Sequence, residues 1–573
     1  MALTPLILRI LFLSLVSLFV FLSPVHAKPS YGGSLVLTSI SDPKSFNDIT
    51  AQEASTHTVT GYIFEGLTTL NPETFKIDPV LAQSWEVSED GKSWTFHLRP
   101  GVKWNDGVPF TADDVVFTFN DLIYNEDVVT SARDIFKIDD QIFKVEKVDD
   151  LTVRFTLPVK FAPFLKGMSQ AILPKHKLAK AVKDKKFNFT WGLDTPPAEI
   201  VGTGPFKLTS YQPGERFVLV RNSLYWKKSA EGDALPYLDR VVYMIVQNLD
   251  TAMLKFLDGE VDYISLRGME YPLVKPNEKK GNFTVYDSGP DFGSSFLVFN
   301  QNTGLNPKTQ KPFLDPVKAK WFCDINFRRA VAHSIDKAKM IEILMNGLGY
   351  PQDSEMSKSA GFFYNPNVDI YDYDLTKAKK ILSDAGYKDR DNDGWLEDSE
   401  GHRIEFNLFT NSGNNERVQI AAIIRHDLEL LGMKVNFLSL EFNTLVPKLN
   451  ASYDWDAIVL GLTGGIEPHF GKNVWDSTGS LHMWYPKQKT PATAWEKRID
   501  EIFSQGVQEL DENKRKVLYD EFQVIVSKQL PLIYTVLNSN LYAVRNKFGN
   551  LRPTSLGGAF YNIEEIYLLE DEK

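Results

Sequence analysis

One cysteine, Cys323, stands among 573 residues, so no internal disulfide can form and the chain must hold together by burial, which its length permits. Its setting, Lys-Trp-Phe-Cys-Asp-Ile at the entrance to a helix, predicts a small packed residue and gives no support to a catalytic thiol. There is no long Lys/Arg cluster, and the net charge of −11 makes nucleic acid a poor partner, because a phosphate backbone needs a basic face. Gly-x-Ser-x-Gly, His-Glu-x-x-His, a phosphate loop and a dinucleotide fingerprint are all missing. Carboxylate pairs do occur, at Asp113-Asp114 and Asp149-Asp150, and two carboxylates at the right separation suffice for a glycosidase. Both pairs stand beside caps and turns, where acidic groups favour helix N-termini. A secreted carbohydrate-active hydrolase therefore stays only as an alternative.

Long apolar runs are missing as well, apart from Ile10 to Leu22. Arg9 precedes that run and Pro24-Val25-His26-Ala27 follows it with a small-residue cleavage pattern, which predicts a secretory signal peptide over 1–27. The run is shorter than the roughly 20 residues needed to span a bilayer. No cysteine adjoins the cleavage point, so no lipid anchor is expected.

From Gly32 onward, strand-like and helix-like patches alternate without repeats or low-complexity linkers, the rhythm of an α/β fold. Val87 to Leu98 alternates around Asp90-Gly91, a hairpin signal, and Thr111 precedes Asp114 as a capping box before Val115, Val116 and Phe117. Helices are expected over 250–259, in two pieces over 326–346, over 375–385 and over 416–431. Strands are expected over 403–409 and 434–440. At this length the prior is two to four domains.

The segment Pro79 to Asn120 resembles the signature region of the family 5 extracellular solute-binding proteins, the peptide-type receptors of ABC importers. Tyr62-Ile-Phe-Glu-Gly-Leu-Thr68, Gly202-Thr-Gly-Pro-Phe206, Phe327-Arg-Arg-Ala-Val-Ala-His-Ser-Ile-Asp336 and Leu530-Pro-Leu-Ile-Tyr534 match further family stretches in the family order. The resemblance implies a two-lobed periplasmic binding protein type II fold with an additional inserted domain. On this chain that means lobe one over 28–64, 200–300 and 535–573, the inserted domain over 65–199, and lobe two over 301–534. It also implies a non-enzymatic, monomeric receptor that closes on a peptide and delivers it to permease subunits in the inner membrane. A receptor lacking a lipid anchor needs an outer membrane to retain it, so the expected compartment is the periplasm. A non-peptide solute such as an oligosaccharide or opine is the rival ligand class.

Ligand contacts implied by the resemblance are Gln52, Glu53 and Ala54 before Phe64-Glu-Gly-Leu67, and a loop after the strand Trp455 to Gly461 carrying Thr463, Gly464, Gly465 and Glu467. Dipeptide binders hold the ligand's α-amino group with an aspartate where this chain has Gly465. Either Glu467 or Glu53 then supplies that charge, or the ligand has no free amino terminus. Trp475, Trp484 and Tyr485 are expected to line the cleft as flat contact surfaces.

One motif stands outside this scheme. Asp389-Arg-Asp391-Asn-Asp393-Gly394-Trp395-Leu-Glu-Asp-Ser-Glu400 satisfies D-x-[DN]-x-[DN]-G-x5-E. It predicts a structural Ca²⁺ held by Asp389, Asp391, Asp393, the Trp395 carbonyl and Glu400, in a helix–loop–strand setting. No cofactor is required.

Overall fold

The computed structural model describes residues 29–306 and 308–569; the expected leader over 1–27 lies outside them. Among the described residues no helix is long and apolar enough to cross a membrane.

The first lobe is built on a sheet in the order Ser34–Ser39, Arg240–Ile245, Arg216–Arg221, Phe206–Gln212, with only the first pair parallel. A second sheet places Val536–Arg545 between Tyr263–Leu266 and Phe283–Pro290. The second lobe has a five-stranded sheet, Lys434–Leu440, Glu405–Asn411, Ala457–Leu462, Ser294–Phe299, Leu532–Tyr534, parallel in its first three strands. Within 65–199 the strands Ala82–Val87, Ser93–Leu98, Thr152–Thr156 and Lys144–Asp149 form an antiparallel meander with one crossover in order.

Why the second-lobe sheet reads as unbroken apolar runs is visible in Ser294–Phe299. Leu297 and Phe299 enter the core on one face, Phe296 and Val298 the core on the other. A strand covered on both sides has no polar face to alternate with. The helices that cover it follow the expected spacings: Ile325–Ser334, Lys337–Met345, Leu375–Asp384 and Asn415–Leu430. Near Thr111 the Asp114 carboxylate accepts the Thr111 N–H at 3.0 Å, closing the box the sequence predicts.

Residues 65–199 share one continuous hydrophobic core with the first lobe, running from Leu35 through Leu67 and Phe164 to Phe206 and Leu568. Backbone approach fastens the join. A Cβ on Gly202 would stand 2.0 Å from the Ile63 carbonyl oxygen, and the Gly204 N–H donates to that oxygen at 2.8 Å. Only glycine fits so close to another backbone.

Two crossings link the lobes, at 291–293 and at Thr535. They are bonded to each other: the Asp291 N–H donates to the Asn538 carbonyl at 3.0 Å, and the Thr535 N–H to the Ser295 carbonyl at 2.8 Å. This corrects the boundary drawn at residue 300, since Ser294–Phe299 already belongs to the second-lobe sheet. Gly349–Pro351, inside the span given to lobe two, pairs with residues 536–538 at the start of Val536–Arg545, beside the second crossing. Gly289-Pro290 and Gly293 mark the first crossover, whereas the second carries no such composition, because Leu532–Tyr534 runs into Val536–Arg545 as nearly continuous strand. Cys323 is exposed at the end of the helix Pro316–Cys323 and so is not the packed residue expected. It closes Pro316–Cys323 just before Asp324 caps the next helix, Ile325–Ser334, and the apolar neighbours Trp321 and Phe322 take the inward positions.

Candidate functional site

A cleft of about 1330 Å³ opens between the lobes, with the two crossings as its floor. It is larger than the roughly 300–1,000 Å³ of drug-sized ligand pockets. Three of its walls are loops leaving the carboxyl ends of strands that pair in parallel: Thr38 to Ser41 after Ser34–Ser39, Asn411 to Arg417 after Glu405–Asn411, and Gly461 to Gly464 at the end of Ala457–Leu462. That end of a parallel sheet leaves its loops free to meet a ligand, while helices cover the faces. Thr130, Arg133 and Asp134 add a corner from the 65–199 segment.

The walls touch across the mouth. The Ser480 N–H donates to Asp134 at 2.8 Å, His469 Nε2 lies 3.0 Å from the Ile135 carbonyl, and the Asn450 side-chain amide donates to Gln52 at 3.4 Å. On another side Asn415 donates to Asp250, which also pairs with Arg267. The lobes are closed on the cleft.

Of the expected contacts, Gln52, Glu53, Ala54, Thr463 and Gly464 line this space. Glu53 accepts the Gln52 N–H at 3.2 Å and the Thr56 hydroxyl at 2.5 Å, and no ion pair to it is formed among the described residues. Gly464 is required by contact: a Cβ there would lie 1.9 Å from the Phe292 carbonyl oxygen in the first crossing. Gly465 lies outside the lining, with open space where a Cβ would stand.

Glu467 is not a cleft residue. Its carboxylate forms an ion pair with Arg515, and Lys166 Nζ reaches it at 3.3 Å; the side chains of Glu467 and Arg515 are 1% and 3% exposed. Trp475 and Trp484 are also corrected. They are buried in the second-lobe core with ring centroids 5.4 Å apart, because the apolar members of the 472–489 loop turn inward. Tyr485 is half-buried against that core with its hydroxyl 2.9 Å from that of Thr303, away from the cleft. The polar neighbours Thr478, Ser480 and Lys487 face the cleft instead.

Sequence reading missed Asn411, Asn414, Glu416 and Arg417, together with the hinge residues 291–295 and 536–540. A usable signal was present for the first group, since they follow a predicted strand and open a predicted helix. For the hinge, Gly289-Pro290 and Gly293 mark the first segment, while nothing local distinguishes 536–540.

In the acidic loop, Asp389, Asp391, Asp393 and Glu397 bring oxygens within 4.8 Å of one another. Glu400 does not join them; Lys320 Nζ holds it at 2.5 Å. Residues 397 and 403 bridge as a hairpin, and Asp398 accepts the N–H groups of Glu400 and His402 at 2.9 Å, so the last carboxylate is turned away at the hairpin tip. The remaining acids are partly engaged: Asp393 pairs with Arg403, Asp389 accepts the Gly394 N–H at 3.0 Å, and Glu397 accepts the Arg390 N–H at 2.8 Å. Trp395 donates its N–H to Asp393 at 3.0 Å.

Comparison with known proteins follows the same architecture. The model described as "Bacterial extracellular solute-binding proteins, family 5 Middle" matches residues 76–480. The "Probable ABC transporter-binding protein" of Deinococcus radiodurans is 29% identical over 528 residues, covering 86% of this chain and 84% of that protein. The oligopeptide-binding protein AppA of Bacillus subtilis, solved with a nonapeptide, superposes with a TM-score of 0.81 at 25% identity, over 95% of this chain and all of AppA. The fold is also that of MelB from Agrobacterium fabrum, solved with stachyose, at TM-score 0.83 and 22% identity, over 95% and 86% of the two chains.

Proposed function

The chain belongs to the bacterial extracellular solute-binding proteins of family 5, and from that membership we propose that it serves as the exported receptor of an ABC importer with peptides as its first ligand class. A single observation carries the reading: a cleft of about 1330 Å³ whose walls come from both lobes and whose floor is two chain crossings. A hinge of this kind lets the lobes part and close, and the ligand favours the closed form only through contacts made there. The ligand is released chemically unchanged to inner-membrane permease subunits. A monomer in the periplasm, reached through a leader over 1–27, suffices for this role.

Ligand-stripped protein is expected to gain thermal stability with a mixture of short peptides, by an amount that rises with concentration as binding to the folded state requires. Chromatography of the mixture afterwards is expected to return the peptides intact. Conversion into products would overturn the receptor reading.

An oligosaccharide or opine is the second reading, and one arrangement favours it. Gly465 brings no charge and Glu467 is already paired, so a free ligand amino terminus has only Glu53 among the residues first considered for it. Stachyose in the same thermal assay separates the classes.

For the acidic loop, the calcium expectation passes from Glu400 to Glu397. EDTA is expected to lower the unfolding midpoint, and Asp391→Ala to abolish that response. An unchanged midpoint in the parent protein removes the ion.

A further inference from the structure

The 65–199 segment is fused to one lobe and only touches the other. Its apolar side chains share a single core with the first lobe, from Leu35 through Phe164 to Phe206. Toward the second lobe it presents a row of polar atoms. Asp134 accepts the Ser480 N–H at 2.8 Å, while the carbonyls of Ile135 and Lys137 accept from His469 Nε2 at 3.0 Å and Lys472 Nζ at 2.5 Å. Asp139 accepts the Ser504 hydroxyl at 2.7 Å, and the Ala162 N–H donates to the Val507 carbonyl at 2.7 Å. Lys166 Nζ reaches Glu467 at 3.3 Å. The apolar share of this joint is small. The Phe161 ring stands edge-on to His469 with centroids 5.1 Å apart, and Val507, on the second-lobe helix Ala494–Gln508, packs into the first-lobe core.

Of these groups only Asp134 and Ser480 line the cleft. The others lie outside it, so a solute takes no part in making their contacts. The rest of the first lobe meets the second across the mouth through side-chain amides, Asn450 to Gln52 at 3.4 Å and Asn415 with Asp250 and Asn248. The joint at 65–199 is therefore the more extensive of the two, and it is built to part. Asp139 is exposed and the Lys166 side chain is 22% exposed, so water replaces their partners readily. A cavity of about 380 Å³ lies where three parts meet, between Asp48 and His57 of the first lobe, Phe136 and Gly167 of the 65–199 segment, and Phe470 of the second lobe. A polar joint with unfilled space beside it separates at far lower cost than a close-packed core.

We propose that the 65–199 segment is a clasp that holds the lobes together independently of solute and thereby sets the overall affinity of the receptor. The proposal rests on the receptor reading and deepens it by giving this segment a role apart from solute contact. A contact present only in the closed form reduces the work that a solute must do to close the lobes, whatever the solute is.

Lys166→Glu combined with Ser504→Asp sets like charges face to face in the joint, against Glu467 and Asp139, and alters no cleft residue. Small-angle X-ray scattering of ligand-stripped protein reads the separation of the lobes. The double variant is expected to show a larger radius of gyration than the parent, with the open-to-closed ratio raised at least about tenfold, the scale of opposed like charges at an interface. Lys166→Gln with Ser504→Ala removes the same bonds without repulsion and is expected to fall between the two; circular dichroism establishes that both variants fold. Equal radii in parent and variants overturn the clasp. Calorimetry with a mixture of four-residue peptides, or with the solute that co-purifies with the native protein where peptides do not bind, is expected to show affinity falling in the same order. A variant that opens yet binds as tightly as the parent also overturns it. Failure of the receptor reading shows separately, as chemical conversion of the solute, and leaves the scattering comparison intact.

Discussion

Glu467→Ala is expected to cost about 3–5 kcal/mol of stability, the usual penalty for removing one partner of a buried ion pair. The carboxylate meets Arg515 through both oxygens, with Oε2 to Nη1 at 3.3 Å, while Lys166 reaches Oε2 from the 65–199 segment at 3.3 Å. Arg515 is otherwise held by the Gly506 carbonyl, which accepts from Nε at 2.9 Å, and lies over the rings of Phe363 and Tyr519. Truncating the acid leaves that guanidinium charged inside the protein with no carboxylate. The measurement is a urea unfolding midpoint, with Arg515→Met added to the same chain. The double variant is expected to lose less than Glu467→Ala alone, because it removes the stranded charge together with its partner. A single variant of near-parental stability that binds ligand poorly would return Glu467 to the cleft.

Stability is expected to fall as pH rises from about 4.5 to about 7, and Glu355 supplies a large part of the slope. Burial pushes this carboxyl up to about 7, against a contact with Trp475 that opposes the shift; Oε2 is buried without a partner among the described residues. Below about 4.5 both the folded and the unfolded chain hold the proton, and the contribution is fully present. Between the two values the unfolded chain releases it while the folded one keeps it, so stability is lost up to the folded pKa. A shift of this size corresponds to about 3 kcal/mol. Glu355→Gln is expected to flatten the profile and to be the more stable protein at about pH 8. Glu65 is also pushed up to about 7 by burial, but Tyr225 and Trp226 donate to its carboxylate at 3.1 and 3.0 Å, so replacing it would strand two donors. Urea midpoints across this pH range compare parent and Glu355→Gln, and parallel profiles would refute the assignment.

Local pattern was enough to place the helices at Leu375–Asp384 and Asn415–Leu430 and the hairpin around Asp90-Gly91, since period, caps and turn residues act within a few positions. It placed Gln52 to Ala54 and Thr463 to Gly464 at the cleft only through family resemblance. It could not tell a carboxylate facing solute from one facing an arginine forty-eight positions away, which is the difference between the expected and the observed Glu467. The same blindness affected Trp475 and Trp484, whose composition suits a binding surface and a packed core equally well.

By itself the amino-acid order determined the α/β rhythm, the reliance on burial in place of disulfides, and which turns require glycine, because these follow from periodicity, residue chemistry and backbone sterics. Tertiary structure decided where the lobes exchange strands, which acids are neutralised inside, and that the 65–199 segment reaches across to the second lobe. Those outcomes depend on which distant groups meet. Charge satisfaction is a property of the meeting, and no single stretch of chain contains it.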